Sequence, residues 1–176
     1  MNLKKCVFFD RDGIINESPG EAKYVTSWDE FKFVTDFAIC AEIAANAGYE
    51  IIVITNQRAV ALGLISIETL EDIHDRLRTI LKEKYGLTLT DVFYCPHHRD
   101  SCDCRKPKPG MLLEAAKKHA IALDQSWMIG DNVTDVMAGQ AAGCKTILVG
   151  KSTGDVQPDF IAIDMKHVAE ILRKCL

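Results

Sequence analysis

No stretch of this 176-residue chain approaches the ~20 apolar residues that cross a bilayer. Basic charge is in short supply: 21 Lys and Arg stand against 25 Asp and Glu, a net charge of -4, which argues against a general nucleic-acid surface. The one basic cluster, residues 105–108, has no aromatic side chains interleaved with it, as stacking on bases would require. Internal repeats, low-complexity tracts and Gly/Ser linkers are also missing, so the expectation is one compact domain over residues 1–176. The opening "MNLKKCVFFDRDG" has only a very short apolar run before charges return, too short for a secretory leader, and the default expectation is a cytosolic monomer.

What is present suits a globular core: 48% hydrophobic and 26% charged residues. Short apolar runs alternate with longer helical patterns. Residues 6–9, 51–55, 91–95, 126–130 and 145–150 read as strands, with a short sixth at 160–163. Helices are expected over 38–48, from a Ser66 cap to about Tyr85, over 110–120 and 132–143, and from about Lys166 onward. Alternation of this kind predicts an α/β sandwich of three layers, Rossmann-like, with a mostly parallel sheet covered on both faces. Ligands in such sheets sit beyond the carboxyl ends of the strands.

Those strand ends carry Asp10-Arg-Asp12-Gly13, then Thr55-Asn56-Gln57, then Arg105-Lys106, then Gly130-Asp131-Asn132 with Asp135 following. A rim with several carboxylates repels itself unless a cation is present, and all-oxygen ligands favour Mg²⁺. Mg²⁺, a hydroxyl and a lysine together suit phosphoryl transfer, in which an Asp can serve as nucleophile. Asp135 is open between a partner of the metal site and an acid on the helix surface.

Between the third strand and Lys106 lie three cysteines and two histidines within the ten residues 95–104. Cys95, His97, Cys102 and Cys104 make a closed Cys₃His set that matches tetrahedral structural Zn²⁺. A redox pair is the rival reading, weakened by the absence of Cys-x-x-Cys. His98 is expected to point elsewhere. Cys6, Cys40, Cys144 and Cys175 are scattered among apolar residues and read as small buried hydrophobes.

"VFFDRDGIIN", "ITNQ", "CRKPKPGM" and "MIGDNVTDVMAG", in this order, resemble the haloacid dehalogenase (HAD) superfamily, in the zinc-loop branch that holds heptose bisphosphate and histidinol-phosphate phosphatases. The resemblance implies a capless fold with the zinc loop 95–104 inserted. It implies Asp10 as nucleophile and Asp12 as general acid and then base. Mg²⁺ would be held by Asp10, the backbone carbonyl of Asp12 and Asp131. Thr55 and Lys106 would stabilise the phosphoryl group, and Asn56, Gln57, Arg58 and Arg105 would face the substrate. To donate a proton, Asp12 should have a pKa raised relative to that of Asp10.

The loop "TNQRAVALG" departs from the usual pattern, with Arg58, Ala59 and Leu62 where Ser, Gly and Arg are common. Arg58 is then either a replacement for the missing arginine or a solvated surface residue. Asn132 stands where the heptose enzymes often have Lys. The expected substrate is a small phosphorylated metabolite, with a heptose bisphosphate first and histidinol phosphate as the alternative. A receiver-like phosphoacceptor domain is the rival of a different class, but it leaves the Cys/His loop unexplained.

Overall fold

A computed structural model describes residues 3–151 and 154–176. Six strands form one sheet: β1 (Cys6–Phe9), β2 (Glu50–Asn56), β3 (Asp91–Cys95), β4 (Trp127–Gly130), β5 (Lys145–Val149) and β6 (Phe160–Ala162). Their order is β3-β2-β1-β4-β5-β6, and every neighbouring pair is parallel. The sheet is thus parallel throughout, and β1 and β4 are neighbours at the point where the strand order reverses. Crevices at that point are where doubly wound sheets bind ligands.

Five helices cover the sheet: α1 (Phe37–Asn46), α2 (Ile67–Tyr85), α3 (Gly110–His119), α4 (Val133–Ala142) and α5 (Met165–Cys175). The strands are apolar on both faces, as burial on both sides demands. Val7, Phe9, Ile51, Val53 and Ile129 join one hydrophobic cluster with α1, α2 and α5. The alternate residues Cys6, Phe8, Ile52, Ile54 and Met128 join the other with α3 and α4. On α2, Leu70, Ile73, Leu77 and Leu81 of the helically spaced apolar residues form the buried stripe, while Ile67 at its start is exposed and Ile80 half-buried, and the Ser66 hydroxyl accepts from Thr69 N–H at 3.1 Å as its cap.

Element ends agree with expectation to within a residue or two. Cys6, Cys40 and Cys144 are buried as expected, but Cys175 is exposed, because it closes α5 beyond that helix's last core contact. Trp127 is buried in the core and Trp28 stacks on Phe31 at 4.9 Å, both packing roles. No described helix is long and apolar enough to cross a membrane.

Helix α4 starts at the rim of the sheet, so its placement sets the position of its first-turn side chains. It lies so close to the sheet that a Cβ on Gly139 would meet Met128 Cβ and Thr146 Cγ2, both at 2.8 Å. Neither contact is the free end of a flexible chain. Gly139→Ala is therefore expected to cost ~1–3 kcal/mol, as overpacking does, and to lower Tm in a thermal scan. An unchanged Tm would mean that α4 can shift off the sheet without cost.

Candidate active site

Register brings the first pair of acids together. Phe9 is paired with Ile129, and Asp10 N–H donates to Ile129 O at 2.9 Å, so the residues just beyond β1 and β4 leave the sheet side by side. Asp10 is buried, Asp131 faces the open cleft, and Asp135 is buried on the first turn of α4. Carboxylate oxygens of these three acids lie within 4.8 Å of one another. Gly13 makes this possible, since a Cβ there would sit 1.9 Å from Asp131 Oδ2.

Lys106 supplies the one ammonium among them. Its Nζ lies 2.8 Å from Asp10 Oδ1, 2.5 Å from Asp135 Oδ1 and 2.8 Å from the carbonyl of Ile54. The side chain is buried, and both acids push its pKa up against the opposing effect of burial. Asn56 holds the lysine's backbone from both sides: its Nδ2 donates to Lys106 O and its Oδ1 accepts from Lys106 N–H, each at 3.1 Å.

Asp135 is therefore not a surface acid. Its Oδ2 accepts from Asn132 N–H at 3.0 Å while Asn132 Oδ1 accepts from Thr134 N–H at 3.1 Å, a capping box at the start of α4. The pattern Asn-x-x-Asp carries that signal in the sequence.

Asp12 occupies a different environment two residues after Asp10. Its Oδ1 accepts from Arg11 Nη2 at 2.9 Å, Arg11 Nε at 3.2 Å and Asn16 Nδ2 at 2.9 Å. Its Oδ2 accepts from Gln57 Nε2 at 2.9 Å and Arg11 Nη2 at 3.1 Å. The same Gln57 nitrogen donates to Thr55 Oγ1 at 2.8 Å.

These surroundings reverse the expected order of the two acids. Burial, with the charges of Asp135 and Asp12, pushes Asp10 up to about 8 even though Lys106 opposes the shift. Burial also raises Asp12, but Arg11, Asn16 and Gln57 more than offset it and hold that carboxyl below its usual value. Asp131 is pushed up to about 6 by burial and by Asp135.

The sequence-predicted residues do not all converge. Asp10, Asp12, Thr55, Asn56, Arg105, Lys106 and Asp131 line one cleft of about 830 Å³. Gln57 and Arg58 do not line it. The Gln57 amide is spent on Asp12 and Thr55, and Arg58 is half-buried on the loop after β2, so the structure does not bring these two to the cleft wall with the others. Sequence reasoning passed over Arg11, which is fully buried, and His74, whose Nε2 lies 3.2 Å from Arg11 Nη1. The signal for His74 was its position on the apolar stripe of α2.

Beside the cleft, Cys95, His97, Cys102 and Cys104 bring one ligand atom each within 4.8 Å of the others. Cys95 Sγ is 3.5 Å from Cys102 Sγ and 3.6 Å from His97 Nδ1, while Cys104 Sγ is 3.3 Å from both Cys102 Sγ and His97 Nδ1. Zn–S bonds of ~2.3 Å in a tetrahedron put sulfurs ~3.8 Å apart, so the four atoms already stand near its corners. His98 lies outside the group. The three carboxylates with a single ammonium fit a hard divalent ion such as Mg²⁺, which removes their mutual repulsion.

A parallel sheet with paired acids and a buried lysine at its switch point, reached by an open polar cleft, defines a phosphatase of the HAD type. The HAD-hydrolase-like family matches residues 103–175. D-glycero-beta-D-manno-heptose-1,7-bisphosphate 7-phosphatase of Helicobacter pylori is 38% identical over 150 residues, 85% of each chain. D-glycero-alpha-D-manno-heptose-1,7-bisphosphate 7-phosphatase of Photorhabdus laumondii is 36% identical over 165 residues, 88% of each chain. The crystal structure of D,D-heptose 1,7-bisphosphate phosphatase from B. bronchiseptica, complexed with magnesium and phosphate, superposes with a TM-score of 0.86 at 31% identity, covering 97% of this chain and 98% of that one. The chain belongs to the HAD hydrolases, within the family of these heptose bisphosphate phosphatases, and it is a phosphatase.

The raised Asp10 has a consequence for stability. The folded chain holds a proton there that the unfolded chain releases above its ordinary value of 3.8. Without a divalent ion, that contribution to stability is full below 3.8 and is lost as pH rises through about 8. An ion competes with the proton, so the rise in Tm on adding Mg²⁺ is expected to be larger at pH 8 than at pH 5. Thermal scans with and without Mg²⁺ check this, and a gain that is the same at both pH values would overturn it.

Proposed function

We propose that this chain is a Mg²⁺-dependent phosphomonoesterase that removes the 7-phosphate of D-glycero-D-manno-heptose 1,7-bisphosphate through a phosphorylated Asp10. The observation that carries this reading is the cluster of Asp10, Asp131, Asp135 and Lys106 at the floor of the cleft. The names of its relatives favour the substrate, and those relatives include enzymes for both the alpha and the beta anomer.

Mg²⁺ held by Asp10, the Asp12 carbonyl and Asp131 would supply the positive charge that keeps Asp10 ionised and draws in phosphate oxygens. An Asp10 oxygen attacks phosphorus, and the bond from phosphorus to the sugar oxygen breaks. Asp12 gives its proton to that leaving oxygen, so the alcohol departs neutral. The bound phosphate dianion beside Asp12 favours its protonated form beforehand, against the pull of Arg11. Asp12 then takes a proton from water, the hydroxide oxygen attacks phosphorus, and the aspartyl phosphate splits into free Asp10 and inorganic phosphate. Thr55 and Lys106 donate to the phosphoryl oxygens. Arg105 lines the same cleft, and its Nη1 is buried without a hydrogen-bond partner, which suits a second anionic group on the substrate. In this reading the chain works as one monomeric unit, with residues 95–104 as a loop inserted after β3.

In a panel of phosphate esters that includes histidinol phosphate, a heptose 1,7-bisphosphate is expected to give the highest kcat/KM. Asp10→Asn is expected to lose at least ~10³-fold in kcat with its fold intact, as loss of a nucleophile does. Turnover of Asp10→Asn near the wild-type rate would remove the covalent route, and a preference for histidinol phosphate would move the substrate.

We assign the Cys/His quartet to Zn²⁺ acting as an organiser. Cys104 stands two residues before Lys106, and a closed four-ligand site leaves no position for a reacting water. Ordering the loop beforehand spares that cost when substrate binds. Stripping Zn²⁺ with Mg²⁺ still present is expected to cut turnover and to lower Tm by at least ~5 °C. Full turnover and an unchanged Tm in a zinc-free preparation would overturn the organiser role.

A further inference from the structure

The guanidinium of Arg11 is 0% exposed, which is rare for a charged side chain. Each of its three nitrogens has a partner. One edge, Nε and Nη2, grips the Asp12 carboxylate, and the other end, Nη1, points at His74 Nε2 at 3.2 Å. Phe31 offers its ring face 5.9 Å from the guanidinium carbon. Because Arg can only donate, His74 Nε2 must be the acceptor, so the ring carries its proton on Nδ1. Burial and the charges of Arg11 and Arg78 keep that imidazole neutral. His74 itself is held from α2, between Ile73 and Leu77 on the core stripe, with the Tyr94 ring 5.6 Å away.

A buried ion pair is a poor device for stability alone, since apolar residues of similar volume often do as well or better. This one ends on the carboxylate that lines the cleft two residues after Asp10. We propose that His74 and Arg11 are positioning residues that aim the Asp12 carboxyl at the leaving group. The inference rests on the acid role of Asp12 in the proposed reaction. The geometry gives it a direction. Arg11 and Asn16 concentrate three contacts on Oδ1, while Oδ2 receives two, from Gln57 and from the longer of the two Arg11 Nη2 contacts. When Asp12 is protonated, Oδ1 keeps its lone pairs for Arg11 and Asn16, and Oδ2 carries the proton. Remove the acceptor at His74 and a buried Nη1–H is left unpaired, so the guanidinium swings to find a partner and takes the carboxylate with it.

The test uses the fact that a general acid matters for a basic leaving group and little for a good one. His74→Leu is compared with wild type on the best alkyl phosphate of the panel and on p-nitrophenyl phosphate, by kcat/KM, which reports the step in which the ester bond breaks. The expected result is a loss of ~10–100-fold on the alkyl ester and at most ~3-fold on the aryl ester, within the range that general acids contribute. Inhibition by inorganic phosphate should be unchanged. His74→Gln, whose amide oxygen reaches the place of Nε2, should restore most of the loss. If His74→Leu does not fold, His74→Asn replaces it, because its shorter amide cannot reach Nη1 and the same split is expected. Equal losses on both esters, or no loss on either, would overturn the positioning role. Asp12→Ala separates the two ideas: a split in Asp12→Ala without one in the His74 variant overturns the positioning role alone, and no split in either overturns the acid role with it.

Discussion

One ammonium shared between two buried carboxylates organises this molecule. Lys106 bridges Asp10 and Asp135, with Asp131 beside them, so these three acids share one directly paired ammonium, with Arg105 at the wall of the same cleft. Two carboxylates ~5 Å apart repel by ~3 kcal/mol at an effective dielectric of 20. The cluster is therefore short of positive charge by construction, and the upward push on the Asp10 carboxyl from burial and Asp135 is the sign of that shortage. A site built this way suits a divalent cation, the role proposed above for Mg²⁺.

The rest of the fold serves to bring that lysine to those acids. Asp10 and Asp131 come from adjacent strands and need only the β1–β4 register to meet. Asp135 comes from the first turn of α4, a helix fastened by its capping box and pressed to the sheet at Gly139. Lys106 has no such help, since it lies in a loop 96 residues from Asp10. Two devices hold it. The Asn56 amide grips its peptide on both sides, and the Cys/His quartet gathers the chain between the end of β3 and Cys104. Anchoring at its own peptide and just ahead of it in the chain favours a single place for one flexible side chain of four methylenes.

Much of this could be read from residues alone. Short apolar runs between helical patterns specify a doubly covered parallel sheet, and the acids, hydroxyl and lysine at the strand ends mark its rim. The strand order was not legible, because alternation says that crossovers occur and not which strands they connect. Arg58 illustrates another limit. Its place in a motif loop suggests contact with substrate, yet it is not among the residues that line the cleft. Gln57 is expected from its motif to face the substrate, but its amide works inward, tying Asp12 to Thr55. Residue type and chain position do not reveal which way a side chain faces when both sides of a loop are packed.

The order of the two acids shows why proximity in sequence is a weak guide to chemistry. Asp10 and Asp12 are separated by one residue and share a turn. Asp10 faces carboxylates and one shared ammonium, so its charge is disfavoured. Asp12 faces a guanidinium and two amides, so its charge is favoured. With only protein groups around them, their protonation preferences are thus opposite to those that a nucleophile and a general acid require. Both partners that the proposed reaction brings act to reverse them: positive charge at Asp10, and the negative charge of a phosphate dianion beside Asp12. In the proposed reaction the protein by itself would hold this pair of acids out of role until substrate and cation arrive, and Arg11, the residue between them, is the largest of the groups that hold the Asp12 carboxyl down.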